Sequence, residues 1–141
     1  MKKLLTWILG GAVAVFLVLQ VIPFSKPEAN PPVSQEPNWD SPATRQMVKE
    51  HCFQCHSNET EWPWYGKVAP ASWLLAWDVA EGREKLNFSE WDKRPIRVGE
   101  MIEEVEGGDM PPVQYTTFHP NSKLQGAQLK EFIAALQRTF K

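Results

Sequence analysis

The sequence lacks several features that would mark common functions. Its 141 residues include 15 Lys and Arg against 17 Asp and Glu. Without Lys2 and Lys3, which belong to an apolar N-terminal segment, 13 basic residues remain against 17 acidic ones, a net charge of −4. There is no basic stripe, so we expect no binding of nucleic acid. No combination of acid, base and nucleophile points to catalysis, so we expect that the protein is not an enzyme.

Acidic residues are also missing from residues 1–22. Leu4–Ile22 is almost wholly apolar, and its 19 residues would span about 28 Å as a helix, close to the thickness of a bilayer core. The small-x-small triplet Ala12-Val13-Ala14 lies inside this run, with "VFLVLQVI" still to follow. This favours a retained transmembrane anchor over a cleaved signal peptide. The lysines before the run predict a cytoplasmic N terminus and place the rest of the chain outside, at a bacterial inner membrane.

Strand-like alternation and internal repeats are absent as well. The prolines concentrate after the apolar run, with six of the twelve in residues 23–42. Such a stretch favours extended backbone, so residues 23–41 are interpreted as a linker, in which Trp39 contacts either the lipid interface or the domain. The remaining residues 42–141 suffice for one small domain.

Four segments of this domain have helical patterns. The first begins with Ser41 as N-cap and Pro42 as the first helical residue, and it runs to Cys52. The others are predicted at residues 71–86, 95–106 and 125–140. Residues 57–70 and 109–123 are expected to be irregular. The sequence therefore predicts an all-α fold of about four helices, preceded by a transmembrane helix.

The two cysteines and the following histidine carry the clearest chemistry. Cys52, Cys55 and His56 form C-x-x-C-H, the pattern that attaches haem c. Thiols at positions i and i+3 of a helical turn reach two vinyl groups of one porphyrin, and the next residue presents its imidazole to the iron. Three other interpretations are weaker. A thioredoxin-like pair would follow a strand, a disulfide across so short a loop stabilises little, and zinc would need a second pair of closely spaced ligands.

The residues around this motif resemble a known family. "CFQCHSNETEWPWYGKVAPASWLLAWDVAEGREKLNFSEW" is similar to the small bacterial haem-binding domain family, in which C-x-x-C-H precedes a Ser-Asn-Glu-Thr and Trp-Pro-Trp-Tyr block. "EVEGGDMPPVQYTTFHP" resembles a later block of that family, so the resemblance covers residues 45–136. It implies haem binding in a compact fold like that of class I cytochromes c. Where relatives have Thr-Asp-Glu-Glu this chain has "QGAQ", which leaves the start of the last helix open.

Met110 is the predicted second axial ligand of the iron. It stands in "GGDMPP", between a helix stop and two prolines that would hold its thioether in place. The resemblance to class I cytochromes c, with a methionine loop before the last helix, implies the same. His119 and an open site are the alternatives. Met47 and Met101 are expected to pack, and His51 precedes the motif too closely to reach the other side of the ring.

Further side chains are predicted to contact the haem. Aromatic rings after the motif would wall the porphyrin, namely Trp64 and Tyr65, with Trp62, Trp73 and Trp77 as further candidates. Cations or N–H donors would hold the propionates, namely Arg94 and Arg97, with Trp91 and Tyr115 as further donors. The carbonyl of Ala69 or Pro70 is expected to accept the ring N–H of His56.

These features together predict a membrane-anchored c-type cytochrome with one covalent haem c. Its expected role is electron transfer at the periplasmic face of the inner membrane. The expected partners are the lipid bilayer, through the N-terminal helix, and an unidentified redox protein, for which a respiratory membrane complex is one candidate. The alternatives are a haem-based sensor or small-ligand binder with an open distal site, and a haem-carrying accessory subunit of a larger membrane complex.

Overall fold

The structure, a computed structural model, describes residues 1–22, 29–93 and 96–141. These ranges form seven α-helices and two 3-10 turns, at Trp64–Lys67 and Pro120–Ser122, and they contain no strand longer than an isolated bridge. The predicted all-α fold is confirmed. The helices are α1 (Lys2–Val21), α2 (Pro42–His51), α3 (Phe53–His56), α4 (Ala71–Lys85), α5 (Val98–Gly107), α6 (Val113–Phe118) and α7 (Gly126–Thr139).

The four helices predicted for the domain correspond to α2, α4, α5 and α7. Ser41 caps α2 as predicted, since its hydroxyl accepts a hydrogen bond from the Thr44 N–H at 3.2 Å. The last helix begins at Gly126, after Gln125 in extended conformation, without a side-chain cap. The helix packs against α2 and α5, and such packing is the main source of helix stability in proteins.

The prediction that residues 109–123 are irregular is wrong for most of that stretch. Pro112 provides the extended residue before α6, and the hydroxyl of Thr117 donates to the Val113 carbonyl at 2.7 Å. The proline pair therefore ends one connection and starts a helix, because proline fits the beginning of a helix. The predicted third helix begins at Val98 rather than at residue 95, which lies outside the described residues.

The chain divides into two compact units. Unit 1 comprises Met1–Ala29 and Glu61–Glu81, and unit 2 comprises Asn30–Thr60 and Gly82–Lys141. Unit 1 contains α1, whose side chains are exposed almost throughout and whose most apolar 18-residue window has a mean hydropathy of 2.3. By length and composition this helix is able to cross a membrane.

Within unit 1, the end of α1 contacts the connection that precedes α4. The Gln20 side chain donates to the Ala69 carbonyl at 3.1 Å and accepts from the Ala69 N–H at 3.0 Å. The 3-10 turn packs closely on α4, because a Cβ atom at Gly66 would lie 3.0 Å from the Leu75 side chain. These contacts order the part of unit 1 that follows the haem motif in sequence.

Unit 2 has an aromatic and aliphatic core, and α7 packs against both α2 and α5. Phe88 stacks on Phe53 at 5.7 Å and on Trp91 at 5.8 Å between ring centroids. Trp39 lies 5.6 Å from Phe88, so of the two places expected for it the structure shows the domain. The buried members of the core are Val48, Phe53, Phe88, Val105, Leu124, Phe132 and Leu136.

Part of the segment interpreted as a linker packs within unit 2. The Ser34 N–H donates to the Ser89 carbonyl at 2.9 Å, and the Trp91 N–H donates to the Gln35 carbonyl at 3.0 Å. Glu36 forms an ion pair with Arg45 of α2. Linker residues 30–41 thus belong to unit 2, and linker residues 23–28 lie outside the described residues.

Candidate haem site

The C-x-x-C-H motif occupies one helical turn at the junction of α2 and α3. The Cys52 N–H donates to the Val48 carbonyl at 2.8 Å, and the Cys52 carbonyl accepts from the His56 N–H at 2.9 Å. Cys52 and Cys55 form no disulfide, and both are partly buried. Burial raises the pKa of Cys52 to about 12, and the neighbouring Cys55 adds to this rise, so the thiol is protonated at neutral pH.

The His56 ring has a defined tautomer. Its Nδ1 atom lies 3.0 Å from both the Gly82 and the Leu86 carbonyl oxygens. A carbonyl only accepts, so Nδ1 carries the proton and Nε2 presents its lone pair. Burial lowers the pKa of His56, and the two carbonyl bonds oppose this only in part, so the imidazole is neutral. A neutral imidazole oriented by backbone carbonyls is the form that ligates a metal.

The expected acceptors, the carbonyls of Ala69 and Pro70, are wrong. The acceptors belong to the last turn of α4 and the residue that follows it, Gly82 and Leu86. The Ala69 carbonyl accepts from Gln20 within unit 1. The prediction chose the nearest loop in sequence, whereas the helix brings back carbonyls 26 and 30 residues after the histidine.

Gly82 was missed by the sequence prediction, although it makes the approach of α4 to the motif possible. A Cβ atom at this position would lie 2.8 Å from the Cys55 carbonyl oxygen and 3.2 Å from the Cys55 Cβ. No other residue fits there without a shift of the backbone. The available signal was a glycine inside a helical pattern, which indicates close packing when the helix continues through it.

The Ser-Asn-Glu-Thr block holds the end of the motif in place. The Ser57 hydroxyl donates to the Phe53 carbonyl at 2.7 Å, and the Thr60 hydroxyl donates to the Gln54 carbonyl at 2.9 Å. Both side chains therefore satisfy carbonyls that α3 leaves without helical partners. Ser57, Asn58 and Thr60 are buried, whereas Glu59 is partly exposed.

Two arginines reinforce the same turn. Arg83 donates to the Ser57 carbonyl at 2.8 Å and to the Thr60 hydroxyl at 3.0 Å. Arg45 pairs with Glu36, and its guanidinium lies 5.4 Å from the centre of the Phe53 ring. Cations on both sides thus hold the motif by charge-assisted bonds and a cation–π contact.

Met110 lies in a short, constrained connection between α5 and α6. Gly108 ends α5 with a φ of 83°, a left-handed conformation that favours glycine. The N–H groups of Asp109 and Met110 both donate to the Glu104 carbonyl, at 3.0 and 3.1 Å. Met110 packs against the hydrophobic core of unit 2, against which Cys52 also packs. Met47 and Met101, expected to pack, contact the same core.

The other two histidines lie beside a cleft of about 450 Å³. His51 is buried, donates from Nδ1 to the Ser122 carbonyl at 3.0 Å and has its Nε2 atom 3.4 Å from the Gln128 amide nitrogen. His119 stacks on Tyr115 at 4.4 Å. Both nitrogens of His51 are thus engaged by protein groups.

The remaining predicted contacts lie in several places. Arg97 is exposed and pairs with Glu100 at 2.6 Å, at the start of α5. Arg94 lies outside the described residues. Trp64 and Tyr65 occupy the 3-10 turn of unit 1, with their rings edge to face at 5.9 Å. For all of these, contact with haem stays a prediction.

The donor set of unit 2 fits a haem. One turn presents two thiols and a neutral imidazole whose orientation is held by carbonyls, and Gly82 leaves the space that this turn needs. In residues 1–22, 29–93 and 96–141, no group of three or more His, Cys, Asp and Glu side chains is arranged to hold a bare metal ion. The arrangement is that of a haem-binding protein.

The chain belongs to the haem-binding domain family, whose family model matches residues 14–138. The match includes the C-x-x-C-H turn, the polar block after it, the Met110 connection and the last part of α1. No curated protein and no solved structure matches the chain significantly.

Proposed function

We propose that this protein is a membrane-anchored monohaem c-type cytochrome, which transfers electrons at the periplasmic face of a bacterial inner membrane. The observation that carries the proposal is the His56 ring, held neutral with its Nε2 lone pair available directly after two thiols on one turn. Cys52 and Cys55 would hold haem c by two thioethers, and His56 would ligate the iron. The haem supplies one-electron chemistry when bound.

Met110 is the second ligand in this proposal. Its connection is tied to Glu104 by two backbone bonds and bounded by Gly108 and a proline pair, so the thioether has little freedom. It packs on the same core as Cys52. A thioether stabilises ferrous iron relative to a second imidazole and raises the reduction potential, which suits an electron carrier.

Membrane anchoring is supported by α1. The helix is long and apolar enough to cross a bilayer, and its side chains are exposed. Lys2 and Lys3 at its start favour a cytoplasmic N terminus, which places the chain after α1 beyond the membrane. The protein is proposed to have no catalytic activity of its own, and its partners are the bilayer and a redox protein, with a respiratory complex as one candidate.

Ligation is tested by spectroscopy of the full-length protein purified from membranes in detergent. We expect a low-spin haem that does not bind carbon monoxide when reduced, with the weak far-red band of methionine-ligated ferric haem. Met110→Ala should remove that band and give a largely high-spin haem that binds carbon monoxide. Met101→Ala is the matched control, since this methionine also packs on the core, and it should keep the band.

Two results would overturn this proposal. If the wild type binds carbon monoxide and lacks the band, the distal site is open and a haem-based sensor is the better interpretation. If the band survives in Met110→Ala, the thioether comes from another methionine. An accessory subunit would instead co-purify in fixed proportion with a larger complex from the same membranes.

A further inference from the structure

Helix α4 is apolar on two sides within unit 1. Leu75, Ala76 and Val79 form its buried stripe. On the outward side, Leu74 is 48% exposed and Trp77, one turn later, is 61% exposed. A surface helix normally has polar side chains on the side that faces water, and a helix that is apolar all round requires an apolar environment on both sides.

Trp64 adds a third large exposed side chain to unit 1. It is 78% exposed, in the 3-10 turn that packs on α4 through the close approach of Gly66 to Leu75. We call Trp64, Leu74 and Trp77 the exposed apolar set. Exposed apolar side chains that lie close together are candidates for contact with a protein or a membrane.

The contact between Gln20 and Ala69 favours a membrane over a protein as the partner of the exposed apolar set. Gln20 is the penultimate residue of α1, which at 1.5 Å per residue is about 30 Å long and matches a bilayer core. If α1 spans the membrane, Gln20 lies where the hydrocarbon ends. Its two bonds to the backbone of Ala69 hold the connection before α4 at the same level.

The exposed apolar set is therefore close to the end of the anchor. From Ala71, the first residue of α4, to Trp77 the helix rises about 9 Å, so Leu74 and Trp77 lie within two turns of the connection that Gln20 contacts. The acidic residues Asp78 and Glu81 follow, so the apolar part of the outward side ends after Trp77. Tryptophan is enriched at the membrane–water interface because its ring is apolar and its N–H is polar.

The polar atoms at this junction also suit a place with little water. The Gln20 amide donates to the Phe16 and Ala69 carbonyls, and its oxygen accepts from the Ala69 N–H. Ala69 is buried, so these bonds satisfy backbone groups that would otherwise be costly next to hydrocarbon.

We propose that Trp64, Leu74 and Trp77 insert into the interface of the outer leaflet beside α1, so that unit 1 is seated on the bilayer. The proposal rests on the membrane anchor proposed above. In this proposal lipid covers the exposed apolar set. The test also shows whether a haem or a partner protein covers it instead.

The test measures the depth of nitroxide spin labels in the full-length haem protein, reconstituted into phosphatidylcholine vesicles. Labels are attached through Leu74→Cys and, separately, Trp77→Cys. Val13→Cys reports on the middle of α1, and Gln137→Cys is the matched control, an exposed helical position in α7 of unit 2. Wild type treated with the same reagent shows whether Cys52 and Cys55 react. Power saturation compares access of apolar oxygen with access of a water-soluble nickel chelate.

We expect the ratio of oxygen to nickel access to be highest at Val13, intermediate at both α4 positions and lowest at Gln137. Nickel access at both α4 positions as high as at Gln137 would overturn the inference, and so would the exclusion of both reagents, which would mean that protein or haem covers the set. If the Val13 label itself is accessible to nickel, the anchor is wrong. If Val13 is protected and α4 is not, only the seating of unit 1 fails. Two separately labelled positions guard against misfolding of either variant.

Discussion

Tryptophan has two different environments in the two units. In unit 2, Trp39 and Trp91 pack on Phe88, and Trp91 also stacks on Phe140 at 4.8 Å. In unit 1, Trp64 and Trp77 are largely exposed. The rings of unit 2 therefore stabilise a core that the chain completes by itself. Those of unit 1 have apolar surface that this chain leaves uncovered, which is expected of residues with a role outside the folded core.

The polar groups differ in a related way. In unit 2, buried polar side chains close the haem motif by bonding backbone carbonyls, as Ser57 and Thr60 do. In unit 1, the paired bonds of Gln20 and Ala69 join the apolar helix to the connection before α4. The first arrangement holds the C-x-x-C-H turn in place, and the second orients a segment relative to the apolar helix α1. Of the following predictions, one compares the two units directly and the others test interactions within unit 2.

The largest effect is expected from the haem motif itself. Replacing both Cys52 and Cys55 with Ser should abolish the haem stain that survives a denaturing gel, because no thioether forms. Gln137→Ser is the control and should keep the full stain. Extraction of the haem from the wild type by acidified acetone would contradict covalent attachment and with it the assignment of the cofactor to this turn.

The second prediction compares aromatic truncation in the two units. Phe88→Ala should lower the free energy of unfolding by about 3–5 kcal/mol, because the ring is fully buried among three others. Trp77→Ala should change it by about 0.5 kcal/mol or less in detergent, since most of its ring is exposed. Denaturant unfolding followed by circular dichroism measures both. Equal losses would remove the distinction between the units.

A third prediction concerns the close contact at Gly82. Gly82→Ala should cost about 1–3 kcal/mol, because the new Cβ overlaps the Cys55 carbonyl. Gly99→Ala in α5 is the matched control, since a Cβ there meets nothing within 4 Å. That variant should be neutral or stabilised by up to about 1 kcal/mol. The unfolding midpoint of Gly82→Ala should fall, and that of Gly99→Ala should stay the same or rise. An unchanged midpoint for Gly82→Ala would show that the backbones at Gly82 and Cys55 separate easily.

The smallest effect is expected from acid. The pKa of Asp40 is lowered from 3.8 to about 2, first by a hydrogen bond with the Thr44 side chain and then by Arg138 of α7. A lowered pKa means that its contribution is present above pH 3.8 and is lost as the pH falls toward 2. The midpoint temperature of thermal unfolding of the wild type should therefore fall as the pH is lowered over that interval. Asp40→Asn should show a flatter dependence there, and parallel curves would contradict this role.

The helices of the domain were predictable where local signals are strong. Ser41 with Pro42 announces α2 through capping chemistry, and α5 and α7 follow apolar periodicity along one side. The short helix α6 was missed because two prolines suggest a loop when only their helix-breaking effect is considered. The part of residues 23–41 that packs in unit 2 was missed because its bonds go to residues 89–91, far away in sequence.

The features of the candidate site also differ in whether they depend on local sequence or on contacts between distant residues. The spacing of Cys52, Cys55 and His56 lies within one helical turn, so it predicts a haem motif without knowledge of the fold. The roles of Gly82 and Arg83 depend on the end of α4 returning to that turn, which no local pattern shows. Ligation by Met110 stays a prediction, as does contact of the propionates with Arg97.

The sequence by itself determined the haem motif, the apolar helix and the main helices, because each depends on residues within a few turns of one another. Only the tertiary structure decided which carbonyls orient His56, since that choice is made within unit 2 by the close contact of Gly82, in the last turn of α4, with Cys55. It also decided that Trp39 and Trp91 pack on the core while Trp64 and Trp77 stay exposed. The burial of a side chain depends on neighbours from distant segments of the chain. The local sequence around a tryptophan therefore does not tell whether its ring packs in a core or stays at a surface.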